Sequence, residues 1–207
     1  MDAKDKLLNQ IANHLILHSW ELNDVSLFYG KMGIVLFFAH YARYTGKNIY
    51  DDFAGELLEN VIENISDTLP IDLGRGLCGI GWGIEYLIQN GFMDAESDDI
   101  LDEIDQRVME RDLLRVKDLS LETGISGILT YVFMRLKIND LFVNFRINCF
   151  DKKYVTICRN IGDQIEMKLM GNLLLDIVAF NNCDKEDYFM NLGLINGCSG
   201  LGIKCIL

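Results

Sequence analysis

The sequence LFYGKMGI at residues 27–34 recurs with the same spacing of leucine and glycine at three further places in the chain. The other copies are LGRGLCGI at 73–80, LETGISGI at 121–128 and LINGCSGL at 194–201. Because self-similarity at intervals of about 20–50 residues is typical of arrays of one supersecondary unit, the chain is predicted to be a repeat protein.

The motif glycines are predicted to lie where buried inner helices begin. They are Gly30, Gly33, Gly76, Gly79, Gly124, Gly127, Gly197 and Gly200. Glycine lets the chain turn through conformations closed to other residues, and it lets adjacent helix ends approach closely. The segments 34–41 and 128–136, which follow two of the motifs, are apolar on most faces, as buried helices usually are.

Amphipathic, acidic segments lie between the motifs and are predicted to be outer helices. They are 49–66, 98–111 and 151–170, with a further helix at 5–18, and 141–147 is read as helix or connection. The first two intervals between motif leucines are nearly equal and fit a helical hairpin, whereas the third holds one extra helix or a long insertion. We therefore predict an all-α fold, an α/α toroid or partial toroid of helical hairpins, as a single domain over residues 1–207.

The composition narrows the classes of partner. A net charge of −12 and a pI near 4.6 make nucleic acid an unexpected partner, because an acidic surface repels phosphate. The start of the chain has no signal-peptide core, and no apolar stretch approaches the length of a membrane span. A cytoplasmic protein with reduced thiols is expected. The sequence leaves open whether the native chain continues past Leu207.

Taken together, the motifs resemble those of the lanthionine synthetase C-like family, the cyclases of lanthipeptide biosynthesis. The matching stretches are SLFYGKMGIVLFF at 26–38, GLCGIGWGIEYL at 76–87, TGISGILTY at 123–131 and NLGLINGCSGLG at 191–202. The resemblance implies an α/α toroid around a central cavity. It further implies, for active members, a zinc held by two Cys and one His, which turns a peptide cysteine into a thiolate that adds to a dehydrated Ser or Thr.

The chain departs from that family pattern at the zinc ligands. In the family the ligands lie in Trp-Cys-x-Gly and Cys-His-Gly turns, just before the first motif glycine of late repeats. Here the two residues before that glycine are FY at 28–29, GR at 74–75, ET at 122–123 and IN at 195–196. The chain shows fewer repeats than full members of the family, so it resembles a truncated or degenerate member, or one whose ligand-bearing repeats are missing from this sequence. No cofactor is therefore evident, and a non-catalytic member that binds a peptide substrate or a partner protein is one expectation.

Polar residues and one cysteine near the motif starts are the candidate rim residues. They are Tyr29, Lys31, Asp72, Arg75, Glu122, Asn196 and Cys198. Asp72 and Glu122 also support an alternative hypothesis, a carbohydrate-active α/α toroid, because paired carboxylates act as acid and base in glycoside hydrolysis. A third hypothesis is an interaction scaffold that self-associates through an unpaired end of its array.

Other polar residues receive structural interpretations. His14 and His18 have a spacing that can bind metal, but surface or packing histidines are favoured because no third ligand is evident. His40 is read as a core histidine, and Cys78 and Cys198 as buried structural cysteines. Residues 74–79 also fit a dinucleotide fingerprint, which the repeat explains more simply.

Overall fold

A computed structural model describes residues 2–136, 149–165, 173–179 and 187–207. Within those ranges the regular structure is entirely helical, as predicted. The α-helices are α1 (Ala3–His18), α2 (Lys31–Thr45), α3 (Asn48–Glu63), α4 (Leu77–Gln89), α5 (Ser97–Met109), α6 (Ile125–Arg135), α7 (Lys152–Gln164), α8 (Leu173–Ala179) and α9 (Cys198–Ile206). Short 3₁₀ turns occupy Ser19–Glu21, Leu113–Arg115 and Asp187–Met190. The segment 141–147 lies outside the described residues.

Helices α2, α4, α6 and α9 are the inner helices that the motifs predicted. Each begins one residue after the first motif glycine, so the second glycine lies in the first turn of the helix. Every residue of α4 from Leu77 to Leu87 is buried, and α2 is buried from Lys31 to Ala42. A helix that is apolar on most faces is stable only when neighbours cover it all round, which accounts for this burial.

Helices α3 and α5 cover the inner helices with one face only. Helix α3 packs on α2 through Ala54, Leu57 and Val61, and α5 packs on α4 through residues of the set Leu101, Ile104 and Val108. Their opposite faces carry most of the acidic residues, and Asp105 of α5 is a buried exception. The predicted bounds differ from the observed ones by only a few residues, apart from α7, which fills the first part of the predicted 151–170 segment, while residues 166–170 are not described.

The interval between the third and fourth motifs contains α7 and α8 among its described residues. The two earlier intervals each contain a single α-helix between inner helices, namely α3 and α5. The additional helix agrees with the extra length that the sequence places there.

The chain divides into two compact units. Unit 1 comprises Met1–Asp67 and Asn172–Leu207, and unit 2 comprises Thr68–Gly171. In unit 1, α9 packs against α1, α2 and α8, and α3 packs against α2. In unit 2, α4 packs against α5 and α6, and α7 packs against α6. The single domain over residues 1–207 stays a prediction.

All four motif loops end in the same backbone hydrogen bond. The first N–H of each inner helix donates to a carbonyl seven residues earlier, and this N–H is one that a helix cannot satisfy internally. The pairs are Lys31 to Asp24 (2.8 Å), Leu77 to Pro70 (2.9 Å), Ile125 to Asp118 (2.8 Å) and Cys198 to Asn191 (2.9 Å). The repeat in sequence is therefore a repeat of one loop conformation.

The first motif glycine is required by crowding rather than by unusual dihedral angles. At Gly30, Gly76, Gly124 and Gly197 φ is −114°, −117°, −104° and −134°, which is extended backbone open to other residues. A Cβ on any of the four would collide with the carbonyl or amide of its own loop, as at Gly197, where it would lie 2.5 Å from the Gly193 oxygen. The prediction of a conformation closed to other residues is thus wrong at these positions, where the close approach is within each glycine's own loop and not between adjacent helix ends.

Two of the second motif glycines, Gly33 and Gly127, lie against a leucine from a neighbouring motif. A Cβ on Gly127 would lie 2.7 Å from Cβ of Leu73, and one on Gly33 would lie 2.8 Å from Cγ of Leu194. The fourth motif therefore meets the first in unit 1 as the second motif meets the third in unit 2.

None of the described helices combines the length and the apolar character that crossing a lipid bilayer would require.

Candidate functional site

The residue after the first motif glycine is buried in every motif. Leu77, Ile125 and Cys198 occupy this position in three of the motifs, and Lys31 occupies it in the first. Lys31 is only 6% exposed; its Nζ donates to Oδ1 of Asn60 on α3 at 2.5 Å. The ammonium also lies 5.7 Å from the centroid of the Trp20 ring. The structure thus places this predicted rim residue in the interior of unit 1, engaged with the outer helix.

In unit 1 the loops of the first and fourth motifs are bonded to each other. The N–H of Ile195 donates to the carbonyl of Phe28 at 3.1 Å. The next residues along the two loops are Asn196 and Tyr29, both half-buried, so these two rim candidates occupy neighbouring loops. Asn196 has a φ of 50°, a left-handed conformation that asparagine tolerates better than most residues.

In unit 2 the loops of the second and third motifs are bonded in the same way. The N–H of Gly74 donates to the carbonyl of Glu122 at 2.9 Å. Oδ1 of Asp72 accepts a hydrogen bond from the N–H of Arg75 at 2.7 Å, and the Arg75 side chain is exposed. The structure therefore brings Asp72, Arg75 and Glu122 together on adjacent loops, and one carboxylate oxygen of Asp72 supports the turn that it begins.

The two cysteines within motifs are buried thiols. Burial raises the pKa of Cys198 to about 12. Burial, followed by the nearby carboxylates of Asp72 and Asp105, also raises the pKa of Cys78 well above its usual range. Because zinc binds the thiolate rather than the thiol, these environments oppose metal binding.

The donor chemistry near the motif loops does not fit a catalytic zinc. The described part of the chain contains no group of three or more His, Cys, Asp or Glu side chains placed to hold a metal ion. The residues before the first glycines offer aromatic, amide, hydroxyl and guanidinium groups, with the carboxylate of Glu122 as the one metal-binding type. The two residues before each first motif glycine thus include no cysteine or histidine.

The sequence was also compared with known proteins. It matches the family model described as lanthionine synthetase C-like protein over residues 21–207, a range that contains all four motifs. The chain belongs to the lanthionine synthetase C-like family. Comparison with curated proteins gives no match.

A solved structure, titled nisin cyclase, resembles this lanthionine synthetase C-like chain in fold. The TM-score is 0.50 at 19% sequence identity, and the match covers 88% of this chain. It covers 41% of the nisin cyclase chain, so the present chain spans less than half the length of that protein. The prediction of an α/α toroid fold type is confirmed by this likeness and by the helices of the described residues.

Unit 2 contains a buried ionic cluster that the sequence analysis did not predict. Arg135, at the end of α6, is 1% exposed, and two of its partners are as fully buried. Its guanidinium lies 3.1 Å from Oε2 of Glu85 on α4 and 2.5 Å from Oδ2 of Asp105 on α5. The phenol of Tyr131 donates to Oδ1 of Asp105 at 2.5 Å. The cluster thus joins one outer and two inner helices.

Further hydrogen bonds complete the cluster at the start of α5. Arg135 donates to Oγ of Ser97 at 3.0 Å and to the part-exposed carboxylate of Asp98 at 3.1 Å. Burial raises the pKa of Asp105, and the hydrogen bonds from Arg135 and Tyr131 oppose that shift. The available signal was weak: Glu85 and Arg135 are charged residues within, or ending, otherwise apolar helices.

Proposed function

We propose that this lanthionine synthetase C-like chain binds a peptide at the loops where its inner helices begin. We further propose that its own side chains do not bind the zinc that promotes thioether ring formation in active members of the family. One observation carries the proposal: a family match over residues 21–207 coincides with four motifs in which neither residue before the first glycine is cysteine or histidine. The nisin cyclase likeness supports the fold on which such a rim is built.

The chemistry of the rim residues suits a peptide. Tyr29 offers an aromatic face and a hydroxyl beside Asn196, whose amide can both donate to and accept from a peptide backbone. Arg75 can pair with a peptide carboxylate, while Asp72 and Glu122 can accept from basic side chains. The net charge of −12 further favours a basic peptide over an acidic one.

In active members of the family, zinc supplies a thiolate by lowering the pKa of a bound peptide cysteine. We derive no step through zinc for this chain, because its buried Cys78 and Cys198 and the rim residues do not form a donor set. The carbohydrate-active and scaffold hypotheses stay predictions, and no contact favours either over peptide binding.

Binding can be measured by fluorescence anisotropy with labelled peptides that contain cysteine and either serine, threonine or their dehydrated forms. Tyr29→Ala and Asn196→Gly are expected to weaken binding, since the glycine keeps the positive φ while removing the amide. The matched control is Glu56→Gln, an exposed residue of the outer helix α3. Equal affinity for every peptide in wild type, rim variants and control would contradict the proposed site.

Catalysis is tested separately by mass spectrometry and thiol alkylation of dehydrated peptides, with and without added Zn²⁺. The proposal expects peptide binding without a gain of thioether, because thiols that cyclise become resistant to alkylation. It also expects Cys198→Ala to leave the metal content of the purified protein unchanged. Thioether formation that is lost in Cys198→Ala would restore a catalytic function and name a ligand.

A further inference from the structure

Two histidines lie on adjacent turns of one face of α1, away from the motif loops in sequence. The ring centroids of His14 and His18 are 4.5 Å apart, with the ring planes tilted by 52°. Residues four apart on a helix project in the same direction, and two histidines at this spacing can serve as ligands of one metal ion. Both precede residue 21, where the family match begins, so the pair is separate from the family's zinc pattern.

His14 is fixed in orientation by a second element. Its ring donates a hydrogen bond to the backbone carbonyl of Phe189, and the Phe189 ring meets it edge-on with centroids 5.2 Å apart. Burial, followed by the charge of His18, lowers the pKa of His14, while the Phe189 hydrogen bond opposes this. A neutral imidazole with one nitrogen bonded to a carbonyl has its other nitrogen available as a ligand.

His18 has an outer partner of its own. Its Nδ1 lies 3.8 Å from Oε2 of Glu21, and its side chain is 47% exposed to solvent. Metal-binding histidines generally direct their second nitrogen at a carboxylate or a backbone carbonyl, which orients the ring. In this pair, Glu21 and the Phe189 carbonyl occupy those two supporting positions.

We infer that His14 and His18 form a binding site for a divalent first-row transition metal ion, with Zn²⁺ and Ni²⁺ as suitable ions. Imidazole nitrogen is a preferred ligand of these ions. No third His, Cys, Asp or Glu of the described residues is placed to complete the set, so the site has two protein ligands and water in its remaining positions. The net charge of −12 raises the local concentration of cations.

Binding at this site is expected to stabilise the last turn of α1. The ion joins two successive turns, and it binds the folded helix but has no preformed pair in the unfolded chain. His14 already contacts the 3₁₀ turn Asp187–Met190, so the stabilisation extends to that turn.

The experiment follows the imidazole NMR signals of the untagged full chain during Zn²⁺ titration. The chain has three histidines, His14, His18 and His40, so each signal can be assigned by single substitution. We expect the His14 and His18 signals to move together and saturate near one equivalent, while the buried His40 signal stays in place. Shifts of all three signals together, or of none, would overturn the inference.

Calorimetry with Ni²⁺ supplies the second readout. His18→Gln and His14→Gln should each weaken binding by about tenfold or more, and Glu21→Gln should weaken it less because that residue supports the ring without binding the ion. His18→Gln changes a half-exposed side chain, so it keeps the test valid if His14→Gln impairs folding. Unchanged affinity in His18→Gln would reject the site. Loss of binding only when Cys205, a partly exposed free cysteine of α9, is replaced would also reject it and assign the metal to a thiol.

Discussion

His40 lies on α2 in the interior of unit 1, where a charged imidazole is unfavourable. Burial, followed by the charge of Arg43, lowers its pKa from 6.5 to about 4. In the unfolded chain the imidazole is protonated below its ordinary pKa, so the unfolded state binds the proton more tightly. The contribution of neutral His40 to the free energy of unfolding is therefore fully present above pH 6.5. It is lost as the pH decreases from 6.5 towards 4, which lowers the free energy of unfolding by up to about 3 kcal/mol.

His40→Gln should remove this part of the pH dependence, because glutamine is polar but does not titrate in that range. Urea unfolding at pH 7 and pH 4.5 provides the measurement, with the loss of stability compared between the two proteins so that the carboxylates cancel. His18→Gln, at an exposed position, is the control. An identical loss in His40→Gln and wild type would contradict the buried, neutral state of His40.

Lys31 occupies a position where the other motifs have Leu77, Ile125 and Cys198. Burial lowers its pKa, and Lys31 is the first residue of α2, a helix end where a positive charge is disfavoured. Lys31→Met should therefore raise the free energy of unfolding by about 1 kcal/mol despite losing the hydrogen bond to Asn60. Denaturant titration checks this, with the exposed Lys6→Met as control. A clear loss of stability would mean that the contacts with Asn60 and Trp20 outweigh the charge.

Single side chains were the least predictable part of the molecule. The motif spacing placed Lys31 correctly at a helix start, but only the packing of α3 shows that the Lys31 ammonium donates a hydrogen bond to Asn60. In the same way, the His14–His18 spacing is visible in sequence, whereas the supporting carbonyl of Phe189 comes from a distant segment. Such partners depend on tertiary contacts that no local pattern encodes.

Two glycines on different helices provide a test at the scale of the element. Gly124 immediately precedes α6 and has no room for a Cβ, which would lie 2.6 Å from the Ser120 nitrogen. Gly55 lies within α3 and has open space around it. Gly124→Ala should cost about 2–3 kcal/mol because backbone must shift, whereas Gly55→Ala should stabilise by about 0.5–1 kcal/mol through helix propensity.

Thermal or denaturant unfolding of the two variants gives the comparison directly, since both add one methyl group. If Gly124→Ala unfolded like wild type, the loop would have a second conformation that admits a Cβ.

Helices and motif loops were well predicted from sequence because leucine, glycine and helical periodicity act locally. Only the structure shows why these positions are glycine, because crowding and a positive φ both select glycine and cannot be distinguished in the sequence.

Arg135 compensates the buried carboxylates of Glu85 and Asp105 in unit 2, and the loss of its charge should affect the stability of the whole molecule. Arg135→Met leaves Glu85 and Asp105 buried without their cation, which should cost about 3–5 kcal/mol. Combining it with Glu85→Gln and Asp105→Asn removes the uncompensated charges and should recover much of that loss. Calorimetric unfolding of the single and triple variants measures both effects.

The matched control is Arg115→Met, which removes an exposed arginine that also pairs with an aspartate, Asp112. Exposed ion pairs contribute little, so this variant should resemble wild type. Similar unfolding of Arg135→Met and Arg115→Met would show that the buried cluster adds no stability. The hydrophobic pattern alone could not foresee this cluster, because it predicts burial of apolar residues and not which charges they enclose.

The pairing of Ile195 with Phe28 also bears on the order in which the chain acquires structure during synthesis. Unit 2 is one continuous stretch, whereas unit 1 needs segments from opposite ends of the sequence. On the ribosome, unit 2 can therefore gather its contacts while α1–α3 are still without α9. Until α9 has been synthesised, part of the apolar surface of α1–α3 stays exposed, and chaperones have their longest opportunity to bind the nascent chain at that surface.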